Sequence, residues 1–466
     1  MTGNPSSDPA TLEIRPLLER PQAAIQVPGS KSITNRALVL AALTAKGYAR
    51  GLRGALRSED TEVMIEALRA LGFRVLTNWP AAFVSVTSSP DEPLIPARGA
   101  DLFAANSGTT MRFLTALVGL GHGQFRLDGV ERMRQRPIGD LLSALRQLGV
   151  EAFSENHNGC PPVIVRARGL TGGRVKVRGD VSSQFLSALL MVAPFARGPV
   201  QIEIEGALVS GPYVDMTLKM ARQFNLGNIV QNWPGFDGEP PAAFYVMGQG
   251  ERVPDPENKI TAAAFHDGFD PRKHTLLEDY QVEPDASAAS YFWGAAAVTG
   301  GEITVRDLKK ASLQGDVAFL EVLQDMGCGV FATPAGQTVK GGVLAGIDVD
   351  MNGISDTVMT LAAVACFADG PTTIRNVAHI RHKETDRLAA LATELRRIGA
   401  GVEEFPDGLT IMPGPLHGAV IETYNDHRMA MSMALIGLRV PGIVIKNPGC
   451  VAKTYPGFFE DLEKLR

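Results

Sequence analysis

The chain has 466 residues, 45% hydrophobic and 20% charged, a balance that fits a globular protein with a large core, in two large domains or about three ordinary ones. A formal charge of −5 and a pI near 6.0 exclude a nucleic-acid coat or an anionic membrane surface as partner, so anions must be bound by local groups of cations. Cys160, Cys328, Cys366 and Cys450 lie far apart without a C-x-x-C pair, and no apolar run reaches the ~18–20 residues of a membrane span, so a soluble cytoplasmic protein without structural zinc is expected.

A first strand is predicted over Ala24 to Val27. Val27-Pro28-Gly29-Ser30-Lys31-Ser32-Ile33-Thr34-Asn35-Arg36 follows, and Ala37 to Leu43 continues as an apolar helix. Short polar residues beside a Lys and an Arg at a helix start collect free N–H groups, dipole and cations at one point. An ordinary capped helix with a solvated Lys is the plainer alternative. The stretch is not a P-loop, because Ser30 and Ile25 stand where that motif needs glycines.

The same unit, a polar cluster, a helix of small apolar residues, a Gly and a short β-rich segment, then recurs. Its later copies begin at Asn106-Ser107-Gly108-Thr109, Asp180 with Ser182-Ser183-Gln184, Asp285-Ala286-Ser287, Ser355-Asp356 and Asn425-Asp426-His427-Arg428. The Gly markers, at 47, 123, 198, 301, 370 and 442, recur at intervals of 69 to 76 residues, with one exception of 103 between Gly198 and Gly301. The excess is assigned to 231–281, rich in Pro, Gly, Asp and Asn, as an inserted surface excursion. The break divides six units into two halves of three with a junction near Glu283, and the first strand could belong to either half; the domains are expected as residues 1–28 plus 284–466 and 29–283. If the helix starts of both halves face one cleft, two dipole fields converge there.

Charged constellations lie between these markers. Arg132, Arg134 and Arg136 precede a helix predicted over Ile138 to Leu148. Arg381-His382-Lys383-Glu384-Thr385-Asp386-Arg387 opens a helix over Leu388 to Ile398, with Lys383 and Arg387 one turn apart on a shared face. Asp356 and Glu384 are candidate acid/base carboxylates, and Lys31 is a candidate acid. No G-x-S-x-G, H-E-x-x-H or G-x-G-x-x-G is present.

Seven motifs in order carry a resemblance: Val27 to Arg36, Asn106 to Arg112, Arg136-Pro137-Ile138-Gly139, Ser182-Ser183-Gln184-Phe185, Asp285-Ala286-Ser287, Lys383 to Arg387, and Asn425 to Met431. Together they resemble the 5-enolpyruvylshikimate-3-phosphate synthase family over about residues 20 to 460. The resemblance implies an α/β fold of two domains, each of three βαβαββ repeats about a pseudo-threefold axis, with the active site in the inter-domain cleft. It implies transfer of the enolpyruvyl group of phosphoenolpyruvate to the 5-hydroxyl of shikimate 3-phosphate, by addition and elimination, with no cofactor or metal. Carried over by position, Lys31, Ser32, Arg36, Ser182, Ser183, Gln184, Ser210, Asp356 and Lys383 hold shikimate 3-phosphate. Lys31, Gly108, Arg136, Gln184, Arg387, Arg428 and Lys453 hold phosphoenolpyruvate. Asp356 accepts the hydroxyl proton, and Glu384 and Lys31 share the transfers at C3 and at the leaving phosphate. Gly108 implies inhibition by glyphosate, to a degree that Phe113 leaves open, and a monomer is expected. His379 stands where the family often has Asn, and Gly211 where a basic residue is common. The alternatives are the sister transferase acting on UDP-N-acetylglucosamine, which uses a loop cysteine, and a non-catalytic anion- or RNA-binding relative.

Overall fold

Polar clusters do begin the helices. In the computed structural model, which describes residues 10–226, 229–232, 243–246 and 279–466, Ser30 caps Lys31–Thr44 and Ser107 caps Gly108–Val118. Ser182 caps Ser183–Val192, Asp285 caps Ala286–Thr299, and Asp426 caps His427–Gly437. Each cap side chain accepts one of the N–H groups that a helix start leaves unbonded. The fifth unit differs: Ser355 and Asp356 sit in a 3-10 turn, Asn352–Thr357, ahead of the helix Val358–Ala365. These helices are apolar nearly all round and buried, as fits the centre of a large domain.

Each helix is flanked by a small sheet of one plan. In the second unit, Gly99–Phe103 pairs parallel with His122–Asp128, which pairs antiparallel with Val163–Arg168, and that strand takes Glu151–Ser154 at the edge. Four further sheets repeat this order, and a sixth has three strands among the described residues. That sixth sheet contains Thr11–Ile14, antiparallel to Ile443–Lys446, a strand not expected from the sequence. The first predicted strand runs over Gln22–Ile25, earlier than Ala24 to Val27, and joins Glu302–Arg306 of the fourth unit.

Between units three and four, Ile229–Asn232 and Ala243–Val246 form the hairpin of the third sheet, so the expected excursion does not begin at Gln231. Residues 233–242 and 247–278 of its predicted span lie outside the described residues. Tyr280–Gln281 then returns to pair with Arg50–Arg53 of the first unit.

Two apolar cores result. One draws on Ile33 through Val282, the other on Ile14, Ile25, Val27 and Ala286 through Leu465. The chain passes between them twice, and the two passages pair: Ser30 N–H donates to the Glu283 carbonyl at 2.8 Å and Asp285 N–H to the Pro28 carbonyl at 2.9 Å. A Cβ at Gly29 would lie 1.8 Å from the Gly54 carbonyl oxygen, so no other residue lets the crossover run this close to the Gly54 backbone. No helix of the described residues is long and apolar enough to cross a membrane.

Candidate active site

Lys31 is the first residue of its helix, and its amide is capped from the other half by Asp285 Oδ2 at 3.0 Å. Its ammonium lies 3.6 Å from Asp60. Asp60 also takes the Lys453 ammonium at 2.7 Å, while Lys453 donates to the Asn106 carbonyl at 2.8 Å. Lys453 ends the 3-10 turn Pro448–Lys453, so it reaches from the second core into the first half.

Arg36 is wholly buried. Its guanidinium donates to Thr217 Oγ1 at 2.7 Å, the Ser32 carbonyl at 3.1 Å, and Ser187 Oγ and the Tyr213 carbonyl at 3.2 Å, and it lies 5.1 Å from the Phe113 ring. That leaves one N–H for a ligand. Burial pulls its pKa down to about 10 against the attraction of Tyr213, so it remains charged at neutral pH.

The three arginines before the Gly139–Gln147 helix separate. Arg134 pairs outward with Asp128 at 2.7 Å, and Arg132 spans the halves, donating to the Lys383 carbonyl at 3.0 Å and that of Glu384 at 3.1 Å. Arg136 alone turns inward, 3.8 Å from Glu384 and 3.0 Å from the Asn106 carbonyl. Gly108 lies against it: a Cβ there would sit 2.6 Å from Arg136 Nη2 and 3.2 Å from Gln184 Oε1.

Ser182, Ser183 and Gln184 open the third helix. Ser210 faces them in the left-handed backbone region, φ 52°, a conformation unfavourable for any residue but glycine and often found at binding sites. The other half holds it there. Asn352 Oδ1 accepts its N–H at 3.1 Å, and its hydroxyl meets Ser355 Oγ at 3.3 Å and His379 Nε2 at 3.2 Å. Burial and the nearby Lys383 push the His379 pKa down to about 3, so the ring is neutral.

Asp356 is the electrostatic centre. It receives Lys383 at 2.6 Å, Arg428 at 2.7 Å and Arg387 at 3.3 Å. Burial raises its pKa, but Arg428, Lys383, Arg387 and Lys31 more than reverse this and hold the carboxyl well below the usual range. Glu384 pairs with Arg387 at 2.9 Å and is likewise held ionised against burial by Arg387, Arg136 and Lys453. The expectation that Lys383 and Arg387 share a helix face is wrong. Asp386 caps the helix Arg387–Arg397, and Lys383 stands before it at φ −88°, ψ −142°, closing the turn Ala378–His382. The two cations reach Asp356 from a turn and a helix start rather than from one face.

Of the predicted residues, Lys31, Ser32, Arg36, Arg136, Ser182, Ser183, Gln184, Ser210, Asp356, Lys383, Glu384, Arg387 and Arg428 line one narrow cleft between the halves. Gly108 and Lys453 stand directly behind it. Arg112, the cation beside the second helix start, lines it too, as do Thr109, Tyr213 and His382, which together with Asp60 the sequence did not point to. Nothing in the sequence separates Asp60 from an ordinary acidic first turn on the helix Glu59–Ala70. A wider groove of about 1510 Å³ beside the crossover includes none of the predicted site residues among its lining. No cysteine lines the cleft.

The cleft is lined by clustered cations, a lining chemically suited to anions. Cations and dipoles come from both halves, and the carboxylates between them are ionised in advance.

Comparison with known proteins identifies the family. The family profile described as EPSP synthase (3-phosphoshikimate 1-carboxyvinyltransferase) matches residues 18–237 and 268–462. A 3-phosphoshikimate 1-carboxyvinyltransferase of Nostoc punctiforme is 48% identical over 96% of this chain and 97% of its own length. One of Trichormus variabilis is 45% identical over 97% and 98%. In fold, the chain is similar to EPSP synthase from Acinetobacter baumannii, with a TM-score of 0.73 at 23% identity over 98% of both chains. It is similar too to the enolpyruvyl transferase NikO from Streptomyces tendae, with a TM-score of 0.70 at 20% identity over 98% of this chain and 97% of that one. By its profile match and its relatives, the chain belongs to the EPSP synthase (3-phosphoshikimate 1-carboxyvinyltransferase) family.

Proposed function

We propose that this protein transfers the enolpyruvyl group of phosphoenolpyruvate to the 5-hydroxyl of shikimate 3-phosphate, releasing phosphate, on the route to chorismate and the aromatic amino acids. The observation that carries the reading is the convergence of Lys31, Arg136, Lys383, Arg387 and Arg428 on one cleft around Asp356 and Glu384. In this reading Lys31, Ser32, Arg36, Ser182, Ser183, Gln184, Ser210, Asp356 and Lys383 bind the acceptor. Lys31, Gly108, Arg136, Gln184, Arg387, Arg428 and Lys453 bind the donor. Both ligands are anions that compete for cations now paired with Asp356 and Glu384. As Arg387, Arg136 and Arg428 turn toward the donor, the carboxylates lose partners that hold them ionised and become better bases. Asp356 then takes the 5-hydroxyl proton, and Glu384 and Lys31 move protons at C3 and at the leaving phosphate. The halves act as domains of residues 1–28 with 284–466 and of 29–283, hinged at the paired crossover, and closure excludes water. The protein works as a cytoplasmic monomer, and glyphosate competes with phosphoenolpyruvate.

The test is phosphate release from phosphoenolpyruvate with each acceptor in turn. Release with shikimate 3-phosphate and none with UDP-N-acetylglucosamine is expected. The reverse would overturn the assignment.

A further inference from the structure

Asp285-Ala286-Ser287 opens the fourth unit, yet only Asp285 caps the helix. The Ser287 hydroxyl donates instead to Asp316 Oδ2. Asp316 lies in the 3-10 turn Gly315–Ala318, 3% exposed, and its Oδ1 has no hydrogen-bond partner among the described residues. The Tyr213 hydroxyl stands 3.2 Å from Asp316 Oδ2 and 3.2 Å from Asp356 Oδ2. A phenol carries one hydrogen, so it can donate to only one of these carboxylates at a time. Glycine at 315 allows the approach, since a Cβ there would lie 2.4 Å from Pro212 Cβ. Tyr213 comes from one half and both carboxylates from the other, so the bridge is assembled only when the halves meet.

The two acids differ in what surrounds them. Asp356 is ringed by Lys383, Arg387 and Arg428, so a proton placed on it is costly to hold. Both groups bonded to Asp316 are hydroxyls. The charges facing Asp316 are Asp356 and Asp285, which repel its ionised form, and Arg428, which favours it. Burial foremost, then Asp356, lifts its pKa to about 6. Burial, with Asp316 and Asp356, keeps the Tyr213 phenol protonated far above its ordinary range.

We infer that Asp316 is a positioning residue that takes the reaction's proton from Asp356 through Tyr213. The inference rests on Asp356 being the base for the acceptor hydroxyl. As that O–H bond breaks and its oxygen bonds to the donor carbon, the proton passes to Asp356 Oδ2. Asp356 gives it to the Tyr213 oxygen while the Tyr213 hydrogen moves to Asp316 Oδ2. Asp356 returns to its charged, ion-paired form, Asp316 becomes a neutral acid, and no further reactant is needed. As products leave, the reverse transfer returns the proton to Asp356, which gives it up to water, and both carboxylates are ionised again for the next turnover.

The test is kcat against pH for the wild type and for Asp316→Asn, Tyr213→Phe and Asp356→Asn. Asp316 must be ionised to accept, so wild-type kcat should fall as pH drops through about 6. Asp316→Asn should lower kcat by about 10-fold or more, lose that acid limb, and leave the acceptor KM unchanged. Tyr213→Phe should lose the same limb with Asp316 still present. A folded Asp316→Asn with wild-type kcat and acid limb would overturn the relay. Should that variant not fold, Tyr213→Phe decides alone, a retained limb overturning the relay and a lost one supporting it. Full activity in Asp356→Asn would remove both the base assignment and the relay. An inactive Asp356→Asn beside an unaltered Asp316→Asn would remove the relay only.

Discussion

At Gly108 a single added atom would reach two side chains that the proposed function assigns to the donor. A methyl group there would press on Arg136 Nη2 and Gln184 Oε1. Gly108→Ala is expected to raise the KM for phosphoenolpyruvate by about 10-fold, a misplacement effect, and the KM for shikimate 3-phosphate by less, since only Gln184 of the two side chains is assigned to the acceptor. Steady-state kinetics with each substrate varied would check this. Phe113 does not share that role, because its ring is buried against Arg36. His379 gives a prediction about acid stability. The native ring, with its pKa near 3, stays neutral while the unfolded chain takes up a proton below the ordinary value of 6.5. Stability contributed by the neutral ring is therefore complete above 6.5 and is lost as pH falls toward 3. His379→Asn should lose less stability than the wild type between pH 6.5 and 4, read by urea titration at each pH. Lys31, Asp356 and Glu384 were legible in the sequence because they sit in dense local motifs. Asp60, Tyr213 and Asp316 were not, because their significance lies in contacts such as Asp60 to Lys453, 393 residues apart.

At the scale of elements, one carboxylate serves two helices. Asp285 Oδ1 accepts the Ala288 N–H at 2.9 Å and Oδ2 the Lys31 N–H at 3.0 Å, tying the crossover to the first residue of the Lys31 helix. Loss of a single cap costs about 1 kcal/mol. Asp285→Ala should therefore cost more than Ser107→Ala, whose hydroxyl caps one helix only, and should also lower activity through Lys31. Urea unfolding of the two variants would test the order. Helix starts were readable because capping is a local signal within four residues. The start at Ser355 was misread because Asn352–Thr357 forms a tighter turn with the same polar composition. Lys383 was misplaced because the helix waits for the Asp386 cap. Thr11–Ile14 escaped because four residues with no turn signal look like any tail until Ile443–Lys446 pairs with them.

At the scale of the whole molecule, the site exists only where two cores meet. Arg132 on the Lys383 and Glu384 carbonyls, Lys453 on Asp60, and Ser210 on Asn352 are among the contacts that join them around the cleft. Arg132→Ala removes a latch without removing a predicted ligand contact. It should raise the KM of both substrates and enlarge the radius of gyration in solution scattering, with the fold unchanged by circular dichroism. The sixfold repeat announced this architecture through its glycine spacing, whereas the closeness of the two halves depends on ion pairs that no spacing reveals. The most direct measurement of the central claim is phosphate release from phosphoenolpyruvate and shikimate 3-phosphate by Lys31→Met. Lys31 lies between Asp60 and the cleft, and its ammonium is assigned to both substrates. Its loss should reduce kcat/KM by about 100-fold or more in a protein that still folds. Wild-type activity in that variant would contradict the account.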